Sequence, residues 1–402
     1  MRTKIVDRGE PVARMEPVVL SESCAGRSEL TDLALELGQR SAGFRKSLPE
    51  PMLQPLASLV RSMNCYYSNL IEGHDTHPID IERALADDYS HDPQKRNLQL
   101  EAKAHITVQE WIDRGGLSGG ALTESGVRQI HSRFCDQLPS ELLQIEDANG
   151  KIIRIVPGTY RTRDVKVGQH VPISPGAISR FMERFEQAHA RLGTVDRIFA
   201  SATAHHRLAW IHPFLDGNGR VVRLMSYAIL RETLDTGGLW SVARGLARKV
   251  EAYKQHLANC DPLRRNDLDG RGELSEEALI ELTRFFLHTC IDQVKFMEEL
   301  MQPRRLRVRV QMWAEEETRL GKLPQKALIV LNEILLHGEL SRSSVPGLFG
   351  TSDRQARRVV NVLVDRGVIT SESMRAPLRL AFPAEIAQRW MPGIFPEKTT
   401  TD

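Results

Sequence analysis

Residues 212–220 constrain this 402-residue chain more than any other feature. They read His-Pro-Phe-Leu-Asp-Gly-Asn-Gly-Arg, and apolar, helix-like sequence lies on both sides, at residues 199–211 and 221–230. Gly217 and Gly219 can adopt backbone angles that are closed to other residues, so their N–H groups can converge on one anion. Because helix-like sequence follows the glycines at once, we expect a helix whose positive end faces that anion.

The charged residues of this stretch suit a polyphosphate. Arg220 and Arg223 are three residues apart and would share one face of the helix. His212 offers a base, and Asp216 offers a carboxylate for a metal cation. Taken singly, each has an ordinary explanation, because a lone histidine is often structural and Asp-Gly-Asn-Gly is also a turn sequence. Their combination between two helices favours a phosphate site over a linker.

The complete run resembles the signature of the Fic family, His-Pro-Phe-x-Asp/Glu-Gly-Asn-Gly-Arg followed by x-x-Arg, where Arg223 is the last residue. In that family a helical core transfers AMP from ATP to a hydroxyl side chain of a protein. The resemblance implies a general base at His212 and a Mg²⁺ ligand at Asp216. The phosphate-binding residues that it implies are Gly217, Asn218, Gly219, Arg220 and Arg223.

A second motif lies upstream at residues 68–73, Ser-Asn-Leu-Ile-Glu-Gly. Ser68 and Glu72 are one helical turn apart, and Gly73 suits the end of a helix. From spacing alone, an exposed glutamate on a helix is the simpler interpretation. The segment also resembles the Ser/Thr-x-x-x-Glu-Gly/Asn inhibitory motif of the Fic family. That resemblance implies that Glu72 competes with the γ-phosphate for Arg223, or that it orients water to remove AMP.

A hairpin is expected at residues 158–172, because β-branched residues alternate there and a glycine offers a turn. A surface ribbon without function would have the same pattern. The run Tyr-Arg-Thr-x-x-Val-x-Val-Gly resembles the Fic flap, which covers the nucleotide and offers a strand edge to the target protein. The residues predicted for this edge are Val165, Lys166, Val167 and Gly168.

Two further nucleotide contacts are suggested only by resemblance. Tyr253 lies where related Fic proteins often carry a Tyr-Tyr pair, although Ala252 breaks that pair here. Asn259 could reach the adenine. A packed or solvent-facing helix over residues 249–257 is the alternative for both.

Composition indicates an intracellular chain. The five cysteines are scattered without paired spacing, which is typical of reduced thiols. No apolar stretch approaches the roughly 20 residues that would span a bilayer, so no membrane partner and a cytoplasmic location are expected. The formal net charge of +2 is too small to indicate nucleic acid or membrane binding by itself.

Apolar periodicity predicts helices through most of the chain. A Thr-Glu pair marks the start of one at residue 123, and Ser275 is placed to cap another. The first residues, roughly 45 of them, are mixed and are expected to wrap the core loosely. The other helices are expected at residues 52–70, 94–113, 177–192 and 194–211.

Composition shifts after residue 300, where residues 301–382 contain 14 Lys and Arg against 8 Asp and Glu. Three helices, at residues 325–336, 341–348 and 352–365, are followed by a hairpin that starts at Gly367. This order resembles a winged helix. DNA binding and a protein-binding or dimerisation role are both open for it. The arginines expected to be exposed on its candidate recognition helix are Arg354, Arg357 and Arg358.

The expected fold class is mainly α, with a Fic-type helical core, a small β-hairpin flap and a C-terminal winged-helix domain. We expect an ATP- and Mg²⁺-dependent protein adenylyltransferase restrained by Glu72, whose target protein docks on the flap edge. The alternatives are a de-AMPylating enzyme on the same core and a DNA-associated regulator, and a homodimer is a further expectation. The predicted domains are an N-terminal arm (1–50), a Fic domain (51–300) with its inhibitory helix at about 55–73, a connecting helix (301–325), the winged helix (326–390) and a tail (391–402).

Overall fold

Helices dominate the computed structural model, which describes residues 5–146, 150–350 and 352–396. The mainly α fold class expected from the sequence is confirmed. The helices are α1 (Arg27–Ser47), α2 (Glu50–Ile71), α3 (Pro78–Leu85), α4 (Pro93–Asp113), α5 (Glu124–Cys135), α6 (Ile178–His189), α7 (Thr194–Ile211), α8 (Asn218–Leu234), α9 (Val242–Arg248), α10 (Val250–Asn259), α11 (Glu276–Leu300), α12 (Pro303–Arg319), α13 (Ala327–His337), α14 (Val345–Phe349), α15 (Asp353–Asp365) and α16 (Ala384–Trp390). The short strands are β1 (Gln144–Glu146), β2 (Ile152–Arg154), β3 (Glu339–Leu340), β4 (Ile369–Thr370) and β5 (Leu378–Leu380).

Side-chain hydrogen bonds cap the first turns of α5 and α11. The Thr123 side chain accepts a hydrogen bond from the Gly126 N–H at 3.0 Å, at the start of α5. Ser275 accepts from the Ala278 N–H at 3.0 Å and caps α11, as the sequence predicts. Each cap satisfies one of the N–H groups that a helix leaves unpaired in its first turn.

Helices α7 and α8 form the centre of the structure, and residues 212–217 connect them. Most residues of α7 and of α8 are buried, because neighbouring helices cover them on several sides. Phe181, Phe185 and Phe214 have no exposed surface and belong to the same apolar cluster. The connecting loop is therefore surrounded by closely packed apolar side chains.

The sequence places the β-hairpin at residues 158–172, and this prediction is wrong. Strands β1 and β2 pair antiparallel, with Gln144 opposite Arg154, whereas residues 158–172 contain a single bridge between Val167 and His170. The physical reason is that the two ends of this segment bind the core instead of each other. Arg161 donates to the His212 carbonyl at 2.8 Å, and His170 Nε2 lies 2.8 Å from the Trp210 carbonyl.

The expectation of a loose N-terminal arm is also wrong. Met15 and Val18 are buried, and Glu10 accepts hydrogen bonds from the N–H and hydroxyl of Ser174, at 2.8 and 2.6 Å. Helix α1 then packs against α11 through Leu30, Leu33, Leu37 and Phe44, which recur at helical spacing. The amphipathic pattern of α1 was present in the sequence, but its two internal glycines obscured it.

The C-terminal module has the element order that the sequence predicts. Helix α13, strand β3, helices α14 and α15 and the pair β4–β5 follow one another, and the sheet order is β3-β5-β4. Its apolar core is continuous with that of α1, α2 and α11. Residues 391–396 were assigned to a tail, yet Met391, Ile394 and Phe395 are buried. The polar end at residues 397–402 lies outside the described residues.

All five cysteines are unpaired, and four of them are buried. Within the described residues, no helix combines the length and the apolar character that a bilayer crossing requires.

Buried histidines make the fold sensitive to acid. Burial lowers the pKa of His105 and His205 to about 3, and that of His189 and His206 to about 4. Since the unfolded chain titrates near 6.5, it binds more protons than the folded chain below that pH, and stability falls as pH falls.

We expect each of these histidines to cost about 1 to 2 kcal/mol of unfolding free energy between pH 7 and pH 5. Urea unfolding at both pH values measures this loss. Equal transition midpoints at pH 7 and pH 5 would contradict the assignment of neutral buried imidazoles.

Candidate active site

The loop between α7 and α8 begins with an unusual backbone conformation. His212 ends α7 with φ 49° and ψ 61°, a left-handed backbone conformation that residues other than glycine rarely adopt. Gly217 has φ 78° and precedes the first residue of α8. The Asn218 amide closes the loop, because its Oδ1 accepts from the Phe214 N–H at 3.0 Å and its Nδ2 donates to the Phe214 carbonyl at 2.9 Å.

This geometry leaves the first-turn N–H groups of α8 without intrahelical acceptors, at the positive end of the helix. The side chain of Asn218 is engaged within the loop, so the groups that remain available to an anion are the backbone amides around Gly219. The sequence pattern pointed to these glycines, whereas the structural use of the Asn218 amide depends on the folded loop.

His212 is arranged as a neutral base. Its Nδ1 lies 3.3 Å from the Ala209 carbonyl, which can only accept, so Nδ1 carries the proton and Nε2 keeps its lone pair. Burial, together with the nearby Arg161 guanidinium, lowers the pKa of His212 to about 4. The imidazole is therefore neutral near pH 7 and can take a proton from an alcohol.

Arg223 is held by the upstream motif. It donates from Nε to Ser68 Oγ at 2.8 Å, from Nη2 to the Ser68 carbonyl at 3.2 Å, and from Nη2 to Glu72 Oε1 at 2.5 Å. Arg223 is almost fully buried, whereas the Glu72 side chain keeps 37% exposure. Burial alone would raise the pKa of Glu72, but the charge and hydrogen bond of Arg223, together with the charges of Arg220 and His74, outweigh burial, and the pKa lies below its usual value.

The Glu72 carboxylate also lies over the anion-binding turn. A Cβ added to Gly219 would overlap Glu72 Oε1, so only glycine leaves room for this carboxylate. A negatively charged group thus already lies against the start of α8 and beside Arg223. A phosphate at the same place would have to displace it.

Arg220 has a carboxylate partner that sequence reasoning missed. Glu101, on α4, accepts from Arg220 Nη2 at 2.5 Å, and His74 Nδ1 lies 3.2 Å from the same nitrogen. The guanidinium stacks over the Phe134 ring at 5.0 Å. Glu101 provides a counter-charge to this buried arginine, but no spacing in the sequence indicates it.

His131 is a second residue that sequence reasoning missed. Its ring stacks on that of Phe214 with centroids 3.9 Å apart. Its Nδ1 accepts from the Gly158 N–H at 2.9 Å, so Nε2 carries the proton and donates to the Asp216 carbonyl at 3.3 Å. Burial lowers the pKa of His131 to about 4, which keeps it neutral in this role. Helix α5 therefore fixes the loop.

Asp216 is exposed at the mouth of the loop. Within residues 5–146, 150–350 and 352–396, its carboxylate oxygens have no hydrogen-bond partner, and no cluster of three metal-ligating side chains occurs. Mg²⁺ in nucleotide sites is held by one or two carboxylates together with phosphate oxygens and water. A single free carboxylate next to the anion-binding turn fits that cation.

The flap residues Val165, Lys166, Val167 and Gly168 lie at the surface. Val167 exchanges two backbone hydrogen bonds of 3.0 Å with His170, which forms a tight turn with Gly168 in its centre. Val167 and Val171 keep 43% and 64% of their surface exposed. An exposed apolar strip therefore borders the loop.

Tyr253 lies close enough to Arg223 and Glu72 for both charges to act on the pKa of its hydroxyl, whereas Asn259 lies at the exposed end of α10. Tyr253 is buried and lies 2.6 Å from His205 Nε2, and burial raises its pKa to about 12. Because Ser226 donates to the Ser201 carbonyl, it accepts from His205 Nδ1, and the Tyr253 hydroxyl must donate to Nε2. Asn259 is exposed and accepts from Gln255 at 2.7 Å.

The three arginines of α15 are exposed, as the sequence predicts. Among the described residues, none of Arg354, Arg357 and Arg358 forms an ion pair. Their helix packs on α13 and α14 through Ala356, Val359 and Leu363, so the basic face points away from the module core.

Comparisons with known proteins find similarity in the segment that contains this loop. Residues 121–230 match the model of the Fic/DOC family. The chain is 26% identical over 226 residues to "Protein adenylyltransferase Fic" of Drosophila erecta, covering 52% of this chain and 42% of that protein. It is 40% identical over 83 residues to the protein of the same name in Drosophila yakuba, covering 20% and 17%. The chain thus spans less than half the length of these curated relatives.

Solved structures show the same fold. A Fic family protein from Desulfovibrio desulfuricans G20 aligns over 88% of this chain and 95% of its own, with a TM-score of 0.51 and 17% identity. Fic-1 from C. elegans aligns over 68% and 73%, with a TM-score of 0.52 and 16% identity. At such identities the likeness concerns the fold alone.

Proposed function

Because the chain contains a Fic domain, we propose that it is a protein adenylyltransferase, which transfers AMP from ATP to a hydroxyl side chain of a target protein. The catalytic unit is the helical body α2–α11. The observation that carries the proposal is the loop at residues 212–220, where a neutral imidazole with a free Nε2 lies beside an amide-lined helix start. The similarity to proteins named adenylyltransferases supports it.

The residues of the loop and of α8 account for the proton, the AMP group and the pyrophosphate in this reaction. The target hydroxyl gives its proton to His212 Nε2 while its oxygen forms a bond to the α-phosphorus of ATP. The bond between the α-phosphorus and the bridging oxygen breaks, and pyrophosphate leaves. The first-turn amides of α8 stabilise negative charge on the phosphates, and Arg220 and Arg223 neutralise the tail.

Mg²⁺ is the cation that this proposal requires, and Asp216 would hold it. When bound, the cation neutralises phosphate charge and supports the departure of pyrophosphate. The remaining protein groups orient the nucleotide and the alcohol.

We expect Asp216→Asn to raise the Mg²⁺ concentration for half-maximal AMP transfer about tenfold, because one carboxylate ligand is lost. Rates measured over a Mg²⁺ titration report this shift. Asp267→Asn, a change at an exposed carboxylate that pairs with Arg264 and lies outside the loop, is the matched control. An unchanged Mg²⁺ requirement for Asp216→Asn would remove Asp216 from the cation site.

Glu72 restrains the enzyme in this proposal. Its carboxylate occupies Arg223 and the space over Gly219, so the γ-phosphate cannot take its productive position. Removal of AMP from a modified protein is the alternative use of the same carboxylate, through an ordered water. Release of pyrophosphate from Mg²⁺-ATP by the Glu72→Gly variant tests the forward reaction, and its absence in the presence of a cell extract would count against it.

The flap provides the target site in this proposal. An extended segment of the target would lie beside residues 165–168 and make backbone contacts there, so recognition would not depend on one side-chain pocket. The exposed apolar side chains of Val167 and Val171 support such docking.

DNA binding by a winged-helix module is the second candidate function. The observation that favours it is the exposed α15 face, whose arginines lack acidic partners in the described part of the chain. Replacing Arg354, Arg357 and Arg358 with Gln is expected to reduce duplex DNA binding in fluorescence anisotropy at least tenfold and to flatten its salt dependence. The control is the same change at Arg304, Arg305 and Arg307 on α12. Equal losses in both triple variants would point to non-specific charge attraction.

A further inference from the structure

Arg161 is buried beside the loop without a carboxylate partner. Only 3% of its surface is exposed, and no ion pair connects it to the described residues. Its guanidinium donates instead to backbone carbonyls. The acceptors are the carbonyls of His212 at 2.8 Å, Arg163 at 2.9 Å, Ile173 at 2.6 Å and Ile211 at 3.4 Å.

Two of these acceptors lie at the C-terminal end of α7, where the helix dipole attracts a cation. The Arg161 N–H also donates to the Pro213 carbonyl at 2.9 Å. The backbone and side chain of Arg161 therefore bind successive peptide groups on both sides of His212. The other acceptors, at Arg163 and Ile173, belong to the two ends of the flap.

This arrangement explains how the left-handed His212 persists. A non-glycine residue in this conformation costs on the order of 1 to 3 kcal/mol unless its surroundings hold it. Arg161 provides the hydrogen bonds that hold it, and it connects the position of the imidazole to that of the flap.

We propose that Arg161 is a positioning residue for His212. It does not touch the reacting atoms; it sets the direction in which His212 Nε2 faces the target hydroxyl. This inference rests on the proposed function, because it assigns Arg161 a role in proton transfer.

The test compares Arg161→Met and Arg161→Lys in the Glu72→Gly background. We expect kcat for AMP transfer to fall about 100-fold in Arg161→Met, while the KM for ATP changes less than twofold, because only the geometry of the base is lost. Lys keeps the charge but cannot reach several divergent carbonyls, so it should restore only part of the rate.

Arg207→Met is the matched control. Arg207 is also fully buried, donates to the Pro17 carbonyl at 2.8 Å, and has its pKa lowered to about 10 by burial, as Arg161 does. It should lower the melting temperature without a selective loss of kcat. Equal effects of both substitutions on kcat and KM would overturn the proposal, as would an unchanged kcat in Arg161→Met.

A readout independent of activity is the NMR signal of the His212 ring nitrogens. Arg161→Met is expected to weaken the Nδ1 tautomer preference, because the turn that brings Nδ1 to the Ala209 carbonyl relaxes. If the parent Glu72→Gly protein shows no AMP transfer, the proposed function fails while this signal still tests Arg161. An unchanged signal would overturn the positioning role.

A second and independent observation concerns the helix that carries Glu72. Residues 391–396, the C-terminal segment, pack on α2 directly before the inhibitory motif. Tyr67 donates from its hydroxyl to the Ile394 carbonyl at 3.1 Å, and the Tyr66 and Phe395 rings meet edge to face at 5.6 Å. Arg244 donates to the Gly393 carbonyl at 2.8 Å.

Tyr67 directly precedes Ser68, whose hydroxyl and carbonyl bind Arg223. Phe395 has 2% of its surface exposed, so the segment forms part of the core behind α2. We infer that the C-terminal segment holds α2 in the position where Glu72 pairs with Arg223, and so maintains inhibition. This inference also rests on the proposed function.

Phe395→Ala is expected to raise AMP transfer several-fold in the otherwise unchanged chain and to have no such effect in the Glu72→Gly background. The matched control is Phe349→Ala, on α14 of the same module and remote from α2. A rise of equal size in the Glu72→Gly background, a rise with Phe349→Ala, or no rise with Phe395→Ala would each contradict the inference.

Hydrogen exchange of α2 separates the two possible failures. Phe395→Ala should speed the exchange of amides at residues 60–72, whether or not the protein transfers AMP. Faster amide exchange in Phe395→Ala, without AMP transfer by any variant, would contradict the proposed function and leave the structural role of the segment intact. Unchanged exchange would remove the role of the segment.

Discussion

Glu72→Gly is expected to raise the rate of AMP transfer about 10- to 100-fold. The carboxylate forms a charge-assisted hydrogen bond of 2.5 Å to the buried Arg223. Such a bond stabilises the inhibited state by about 1.5 to 3 kcal/mol, which corresponds to that range in rate if the phosphate must displace it. Glycine removes the competing charge and leaves Arg223 to the γ-phosphate.

Initial rates with saturating Mg²⁺-ATP and a cell extract as the source of target measure the effect. The matched control is Glu50→Gly, an exposed glutamate at the other end of the same helix. It should leave the rate unchanged. Equal rates for Glu72→Gly and the unmodified chain would show that the pairing seen in the structure does not restrain the enzyme.

His212→Ala in the Glu72→Gly background is expected to lower kcat at least 100-fold, since general base catalysis contributes about 10² to 10⁴. The affinity for Mg²⁺-ATP should change little, because the phosphates bind the α8 amides and the arginines. Isothermal titration calorimetry with ATP and rate measurements on the same protein separate the two quantities. A variant that binds ATP and keeps its rate would exclude His212 as the base.

The local chemistry of the loop could be predicted from the sequence because its residues are neighbours in the chain. Gly217 and the start of α8 follow from turn and helix rules that act over a few residues. The Ser68, Glu72 and Arg223 contact was expected only through a family resemblance. The Arg223–Glu72 pair joins segments that are 151 residues apart in the chain. Spacing alone gave no reason to connect them.

The supporting residues could not be predicted, because their roles depend on how the helices pack. Glu101, His131 and Arg161 lie on different elements, and each meets the loop only after α4, α5 and the flap have docked on α7 and α8. The flap shows the same limit. Its alternating valines indicate a hairpin, but Arg161 and His170 bind the core and leave one bridge.

The C-terminal segment was misjudged for a related reason. Residues 391–396 contain two prolines, a glycine and only a few apolar residues among them, a composition typical of a chain end. Burial of Ile394 and Phe395 depends on the apolar core that α2 shares with the C-terminal module, which no local pattern describes.

Transfer of label from ATP to protein tests the central claim most directly. The Glu72→Gly protein is incubated with Mg²⁺ and a cell extract, once with ATP labelled at the α-phosphate and once with ATP labelled at the γ-phosphate. We predict that the Glu72→Gly protein adds protein-bound α-label above the level of the extract alone, that it adds no γ-label above that level, and that His212→Ala abolishes the added signal. Added γ-label, or no added label from either ATP, would contradict the claim.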